Sequence, residues 1–217
     1  MEKETIYFGT QIVKYKLNDI LIDELLGVGK NLTESWNMAL VANIDKELKY
    51  SSEDVKYFNP KINEFIMDYV DKHIAAREPE ITFSIDNMDM WINFQKAGEF
   101  NQPHIHPGHL SFVIYLQIPE EIYEEEITSN APKPGSITFT HGQYPQLRTN
   151  QSRLDLKVDN ALLPKWLENQ LPKTGEMIIF PSFMNHYVQA FKTPMVERIS
   201  AAGNVFLKGK YKIKTLL

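Results

Sequence analysis

His104 and His106, separated by one isoleucine and answered far down the chain by His186 and then Arg198, are the residues whose types and spacing suggest chemistry. In an extended chain residues i and i+2 point to the same face about 7 Å apart, so the first two imidazoles can converge on one cation. His186 closes the site. It follows Gly175 to Phe180, a strand that breaks at Pro181 and resumes with the histidine at its mouth. After a turn at Lys192-Thr193-Pro194 the chain returns as Arg198-Ile199-Ser200-Ala201-Ala202-Gly203-Asn204. Paired as a hairpin, these two strands would put Arg198 about 13 Å along the sheet from the level of His186. An extended arginine covers part of that span, and the remaining gap suits a short dicarboxylate held between a metal and a guanidinium.

The donor set is restricted from the start. The chain has no cysteine, so disulfides and thiolate ligation are both excluded and any metal must sit on nitrogen and oxygen donors, which suits iron, manganese or nickel. A net charge of −5 and the absence of a basic stripe argue against a broad grip on nucleic acid or an anionic membrane. The N-terminus is charged and no apolar run has the length of a signal segment or a spanning helix, which predicts a cytoplasmic protein.

The elements that must position these residues change character along the chain. With 217 residues, 43% of them hydrophobic, one domain over 1–217 with a real core is expected. Gln11 to Leu17 alternates as an edge strand should, and Leu21, Ile22, Leu25 and Leu26 follow at helical spacing. Asn59-Pro60 looks like a helix start, with Ile62, Phe65, Ile66, Tyr69, Val70 and Ile74 forming one apolar stripe behind it. Residues 1–80 are thus helical and edge-strand support. Over 81–207 short β-type runs alternate with Pro, Gly and Asn turns: Met88 to Phe94, Leu110 to Ile118, Ser136 to Thr140, Leu154 to Val158, Glu176 to Phe180, Tyr187 to Phe191 and Ile199 to Leu207. This order predicts an α+β domain with a barrel or two-sheet β half and the helices packed on a sheet. The irregular stretch 142–173 is expected to be a lid or substrate loop. The acidic run from Glu120 to Glu126 is expected to be a solvated strand exit.

Trp91-Ile92-Asn93-Phe94, Gly98, Pro103-His104-Ile105-His106-Pro107-Gly108 and Ser111 to Leu116, followed by Gly175, Phe180-Pro181-Ser182, His186, Arg198-Ile199-Ser200 and Asn204, resemble the Fe(II)/2-oxoglutarate-dependent oxygenases. The likeness covers roughly residues 86 to 206 and is nearest to a 2OG-Fe(II) oxygenase group of bacteria and phages. Asn93, Gly98 and His104 also match the spacing of the alkylation-repair dioxygenases, and the Tyr115-Leu116 strand is similar to the prolyl-hydroxylase-like branch.

That resemblance implies a double-stranded β-helix, the cupin-like jelly roll, with N-terminal helices on its major sheet and iron at the open end. It implies His104 and His186 as ligands, with His106 in the place of the usual aspartate. An acid arriving from elsewhere, Asp86, Asp89 or Glu99, is an alternative third ligand, and His109 is a competitor for His106. Arg198 would bind the distal carboxylate of 2-oxoglutarate, with Ser200, Asn204, Asn93 and Tyr115 offering further hydrogen bonds; no catalytic side chain beyond the metal centre is implied. Phe180, Phe183 and Tyr187 would shield the site. The implied activity is hydroxylation of a protein side chain, an amino acid or a small metabolite, with 2-oxoglutarate and dioxygen consumed and succinate and CO₂ released. A three-histidine metal cupin that needs no 2-oxoglutarate and a non-catalytic binding jelly roll are the competing functions. A homodimer is compatible with the chain, while a nucleic-acid or membrane partner is not expected.

Overall fold

The computed structural model describes residues 10–127, 132–140 and 167–212. Within them, two antiparallel sheets face each other. The major sheet runs in the order β1 (Val13–Lys16), β9 (Glu176–Pro181), β6 (Leu110–Gln117), β11 (Arg198–Tyr211), β4 (Ile81–Gln95), β3 (Glu47–Lys49). The minor sheet runs β2 (Ala42–Asn43), β5 (Phe100–His104), β10 (Asn185–Val188), β7 (Ile137–Thr140), β8 (Leu167–Gln170). From β4 to β6, and again from β9 to β11, each successive strand changes sheet, which gives the double-stranded β-helix. No helix among the described residues is long and apolar enough to cross a membrane.

The major sheet is covered on both faces, which is why β6 is buried along almost its whole length. Phe112, Ile114 and Leu116 point outward to the helices, while Val113 and Tyr115 point inward between the sheets. On the outer face α1 (Asp19–Lys30) packs Leu21, Ile22 and Leu25, and α2 (Ser52–Val70) packs Phe58, Ile62, Ile66, Tyr69 and Val70. The inner layer is smaller and holds Ile137, Phe139, Ile178 and Phe180 beside Val113 and Tyr115.

Three local expectations need correction. The second helix begins not at Asn59-Pro60 but at Ser52, where Ser51 accepts from the Asp54 N–H and Asp54 accepts from the Ser51 N–H in a reciprocal capping box. Pro60 therefore lies inside the helix, on its exposed side, where the Lys56 carbonyl it leaves without a partner can turn to water. The expected hairpin between the strands of His186 and Arg198 does not form. β10 belongs to the minor sheet and β11 to the major one, so these residues face each other across the sandwich. Finally, Glu125 is not merely solvated: its Oε1 accepts from the Lys192 and Thr193 backbone N–H groups and the Thr193 hydroxyl, pinning the β10–β11 connection. The expected strand at Leu154 to Val158 and most of the expected lid lie outside the described residues, while Leu167–Gln170 within that stretch pairs with β7 as a strand.

Gly203 sits in mid-strand on β11, paired with Met90 on one side and Phe112 on the other. A Cβ there would stand 2.5 Å from both the Asp89 carbonyl oxygen and the Phe112 ring. The glycine is the space in which the Phe112 ring lies. Gly203→Ala should destabilise the protein by about 1–3 kcal/mol, the usual cost of overpacking a dense core, seen as a lower urea midpoint at unchanged m-value. An unshifted midpoint would mean the sheet yields there freely.

Candidate metal and carboxylate site

Strand register builds the histidine cluster. His186 is the direct cross-strand partner of His104 on β5 and of Phe139 on β7, so two imidazoles are set side by side by the backbone ladder itself. His106 lies just past the end of β5, its N–H donating to the Ser182 carbonyl in the turn that precedes β10. The ligand-capable atoms of the three residues all lie within 4.8 Å of one another. Ring centroids are 4.3 Å apart for His104 and His186, 4.7 Å for His104 and His106, and 5.0 Å for His106 and His186.

The tautomers are fixed from behind. His104 Nδ1 is 2.6 Å from the Gln102 carbonyl and His186 Nδ1 is 3.0 Å from the Met184 carbonyl, so each donates its Nδ1–H outward and keeps the Nε2 lone pair. His104 Nε2 and His106 Nε2 stand 3.2 Å apart. Two nitrogens bound at right angles to one cation at roughly 2.0–2.1 Å would be separated by about 3 Å, so the pair is spaced as cis ligands. Burial, reinforced by His186 and His104, holds the His106 pKa down at about 3, and burial with the neighbouring His104 does the same to His186. His104 is lowered too, again chiefly by burial. All three are therefore neutral donors at pH 7. Phe180 and Phe139 pack on the His186 ring at 4.8 and 5.8 Å, and Trp91 packs on His106 at 5.6 Å.

The facing sheet supplies the opposite wall. The partnered positions Glu47–Asn93, Asn93–Ser200 and Ser200–Tyr115 form one polar row across four strands of its inner face, and Arg198 follows beside Gln95. Arg198 is only 3% exposed. Its Nε donates to the Gly135 carbonyl at 3.0 Å, and its guanidinium lies 5.1 Å from the centroid of the Tyr115 ring. No carboxylate pairs with it among the described residues. The Tyr115 hydroxyl feels the guanidinium without reaching hydrogen-bond geometry, and it has no partner; Asn93 Oδ1, Gln95 Oε1 and Asn101 Oδ1 are likewise buried and unpartnered. His104, His106, His186, Asn93, Tyr115, Arg198 and Ser200 all line one cavity of about 130 Å³. A buried cation and an unpartnered tyrosine hydroxyl beside so small a space fit a compact anionic ligand with several oxygens, while the orphaned amide oxygens can only accept and call for donors.

The remaining expected residues lie elsewhere. Asn204 accepts from the Ser111 hydroxyl at 3.0 Å and does not line the cavity. His109 accepts from the Leu207 N–H and faces a different hollow. The candidate acids are also absent from the cluster: Asp86 pairs with Lys208, Asp89 sits opposite Asn204, and both oxygens of Glu99 are engaged by the Asp45 and Lys96 N–H groups. Of the expected aromatic shield only Phe180 lines the cavity; Phe183 is 58% exposed, and Tyr187, next to His186 on β10, faces away from it. Gln95 and Asn101 escaped the sequence argument, although Trp91, Asn93 and Gln95 alternate with Ile92 and Phe94 and so share the inner face.

Fold and site together define a jelly-roll protein built for a metal and a carboxylate ligand. The family model described as "Putative 2OG-Fe(II) oxygenase" matches residues 89–204, just over half of the chain, and the chain belongs to that family. Its metal is Fe(II) and its co-substrate 2-oxoglutarate, for which the neutral imidazoles and the buried guanidinium are suitable partners. A prolyl-4-hydroxylase of Pseudomonas putida has the same fold with a TM-score of 0.54 at 12% identity, covering 91% of this chain and 92% of its own. A 2OG-Fe(II) oxygenase family oxidoreductase from Burkholderia pseudomallei gives 0.52 at 13%, covering 91% and 84%. A prolyl hydroxylase from Trichoplax adhaerens, in complex with a peptide fragment of the hypoxia inducible factor oxygen degradation domain, gives 0.53 at 13%, covering 91% and 83%. At these identities the likeness is one of fold. No curated protein matches the chain.

Neutral histidines, one buried and two half-buried, have a consequence for stability. Their folded pKa values lie below the 6.5 of a free imidazole, so below that pH the unfolded chain binds more protons and folding weakens progressively as pH falls toward about 3. The metal-free protein should therefore lose stability between pH 7 and 5, and His106→Gln, which removes one such group, should lose less over the same interval. Urea titrations at the two pH values measure the difference, and equal losses in the two proteins would remove His106 from the account.

Proposed function

We propose that the protein is an Fe(II)/2-oxoglutarate-dependent dioxygenase that hydroxylates a protein side chain, an amino acid or a small metabolite, releasing succinate and CO₂. One observation carries this reading: three neutral imidazoles converge at one wall of a small cavity whose other wall holds a buried arginine without a carboxylate partner among the described residues. Bound iron would supply the activation of dioxygen, coupled to oxidative decarboxylation of the keto acid.

The chain's own residues have the following parts. His104, His106 and His186 hold the metal, with Gln102 and Met184 carbonyls keeping two of the rings in the ligating tautomer. Arg198 takes the distal carboxylate of 2-oxoglutarate; because Nε is tied to Gly135, the terminal nitrogens present the fork that matches two carboxylate oxygens. Tyr115, Asn93 and Ser200 supply hydrogen bonds along the same wall. Phe180 and Phe139, packed on His186, keep water from that side of the metal. With one small dicarboxylate in a cavity of about 130 Å³, the primary substrate would approach at the mouth, where Val41 and Ile105 are more than half exposed. Such an open, apolar mouth suits a side chain presented by a larger molecule, and two of the structural neighbours are prolyl hydroxylases, one seen with a peptide.

The third histidine favours a second reading, a three-histidine metal cupin that uses Arg198 for the carboxylate of its own substrate and needs no 2-oxoglutarate. Anaerobic titration with Fe(II) and then 2-oxoglutarate separates the two. The first reading expects the weak visible charge-transfer band of a chelated keto acid, abolished in His186→Ala; iron binding without the band selects the second. Arg198→Lys should keep the metal and weaken 2-oxoglutarate by at least about tenfold, because one ammonium cannot reproduce a two-pronged contact. Unchanged co-substrate affinity would move the anchor to another residue.

A further inference from the structure

Among the described residues, the charges in this site do not balance. The cluster that would hold a divalent cation is three neutral imidazoles, with no carboxylate among the described residues joining it. Across the same cavity Arg198 adds a full positive charge, and its neighbours Tyr115 and Tyr123 bring hydroxyls that burial keeps neutral rather than any acid. Nearby carboxyls are committed elsewhere. Glu99 is held by two backbone N–H groups, Glu176 pairs with Lys14 at 3.4 Å, and Glu125 caps the Lys192-Thr193 turn. Glu47, 1% exposed and directly opposite Asn93, is the one acid on the polar row, and it does not line the cavity. Burial first, and Glu99 second, raise its pKa to about 7, so it supplies only a partial negative charge at neutral pH.

A metal on this site would thus share one small, largely buried cavity with an unmatched guanidinium, where like charges repel more strongly than in water. We infer that the dicarboxylate is the missing counter-charge of both cations, so that metal and 2-oxoglutarate bind this protein as an interdependent pair, each weakly without the other. The inference rests on the 2-oxoglutarate reading and extends it. His106 is the residue responsible: an aspartate at that position would bring one negative charge to the metal, whereas histidine leaves the charge to the ligand. By linkage, the factor by which 2-oxoglutarate tightens the metal is also the factor by which the metal tightens 2-oxoglutarate.

The test is an anaerobic competition titration of Co(II) against a chromophoric chelator, with and without saturating 2-oxoglutarate. It is paired with calorimetric titration of 2-oxoglutarate into the metal-free and Co(II)-loaded protein. The wild type should show coupling of about 30-fold or more, within the usual range for linked sites. His106→Asp should bind Co(II) alone about tenfold more tightly than wild type, and its coupling should shrink at least threefold. Arg198→Gln should also bind Co(II) alone at least as tightly as wild type, because a repelling charge is gone, while losing most of the 2-oxoglutarate effect. Chelation by the keto acid tightens metal in any such site, so the contrast between wild type and His106→Asp decides. Full coupling retained in a folded His106→Asp overturns the inference while leaving the oxygenase reading intact. So does 2-oxoglutarate that binds metal-free wild type as tightly as loaded wild type. Absence of 2-oxoglutarate binding to either form removes the oxygenase reading, and the inference with it.

Discussion

The site depends on the register between β5 and β10. His186 stands opposite His104 because these two short strands pair antiparallel, and a one-residue slip would turn one imidazole out of the cavity. The register is held from several sides. β10 is flanked by β7 as well as β5, and Phe139 and Phe180 pack on the His186 ring. The Asn185 side chain donates to the Thr140 hydroxyl, and Glu125 fixes the loop that leaves β10. His106, beyond the strand end, is free of the ladder and is placed instead by its N–H bond to Ser182 and by Trp91. Two of the three imidazoles are thus set by backbone pairing and the third by the turn that follows β5.

The major sheet has a different task on each face. Outward, β6, β9 and β11 contribute Phe112, Ile114, Met177, Ile179, Ile199 and Ala201 to a continuous apolar layer under the helices. Inward, the same strands carry Tyr115, Ser200 and Arg198 toward the cavity. Strand alternation keeps these functions apart with a spacing of one residue. The large outer core makes the polar inner face tolerable: α1 and α2 contribute no residue to the cavity, but their burial supplies stability that the inner layer, interrupted by unpartnered polar atoms, cannot.

Much of this is legible in the sequence because chemistry-bearing residues recur at sheet spacing. His104 and His106, Arg198 and Ser200, and the alternation around Asn93 all announce a face before any partner is known. What is not legible is which strand lies beside which. Nearness along the chain suggests that the strands of His186 and Arg198 form a hairpin, yet in a jelly roll successive strands change sheets, so sequence neighbours become opposite walls. The misplaced start of α2 has a similar origin. Asn59-Pro60 is a good local start signal, but Ser51 and Asp54 satisfy more of the helix's open N–H groups and Phe58 reaches the core only if the helix begins earlier. Asn204 shares a strand face with Arg198 but lies too far along β11, where Ser111 takes its oxygen.

The burial of Arg198 is the clearest sign that the molecule is organised around something it must bind. A guanidinium that is 3% exposed and without an acid partner among the described residues costs the fold desolvation energy, and replacing it with an apolar side chain would ordinarily raise stability. Its Nε bond to Gly135 and its approach to the Tyr115 ring recover part of that cost, but leave the terminal nitrogens without a carboxylate among the described residues. The orphaned oxygens of Asn93, Gln95, Asn101 and Tyr115 add to the deficit in the same small space. Three uncharged histidines at the opposite wall do nothing to offset a positive arginine. A purely structural jelly roll has no reason to retain such an arrangement, whereas a ligand that carries its own negative charges supplies the counter-charge the guanidinium lacks at the moment it binds.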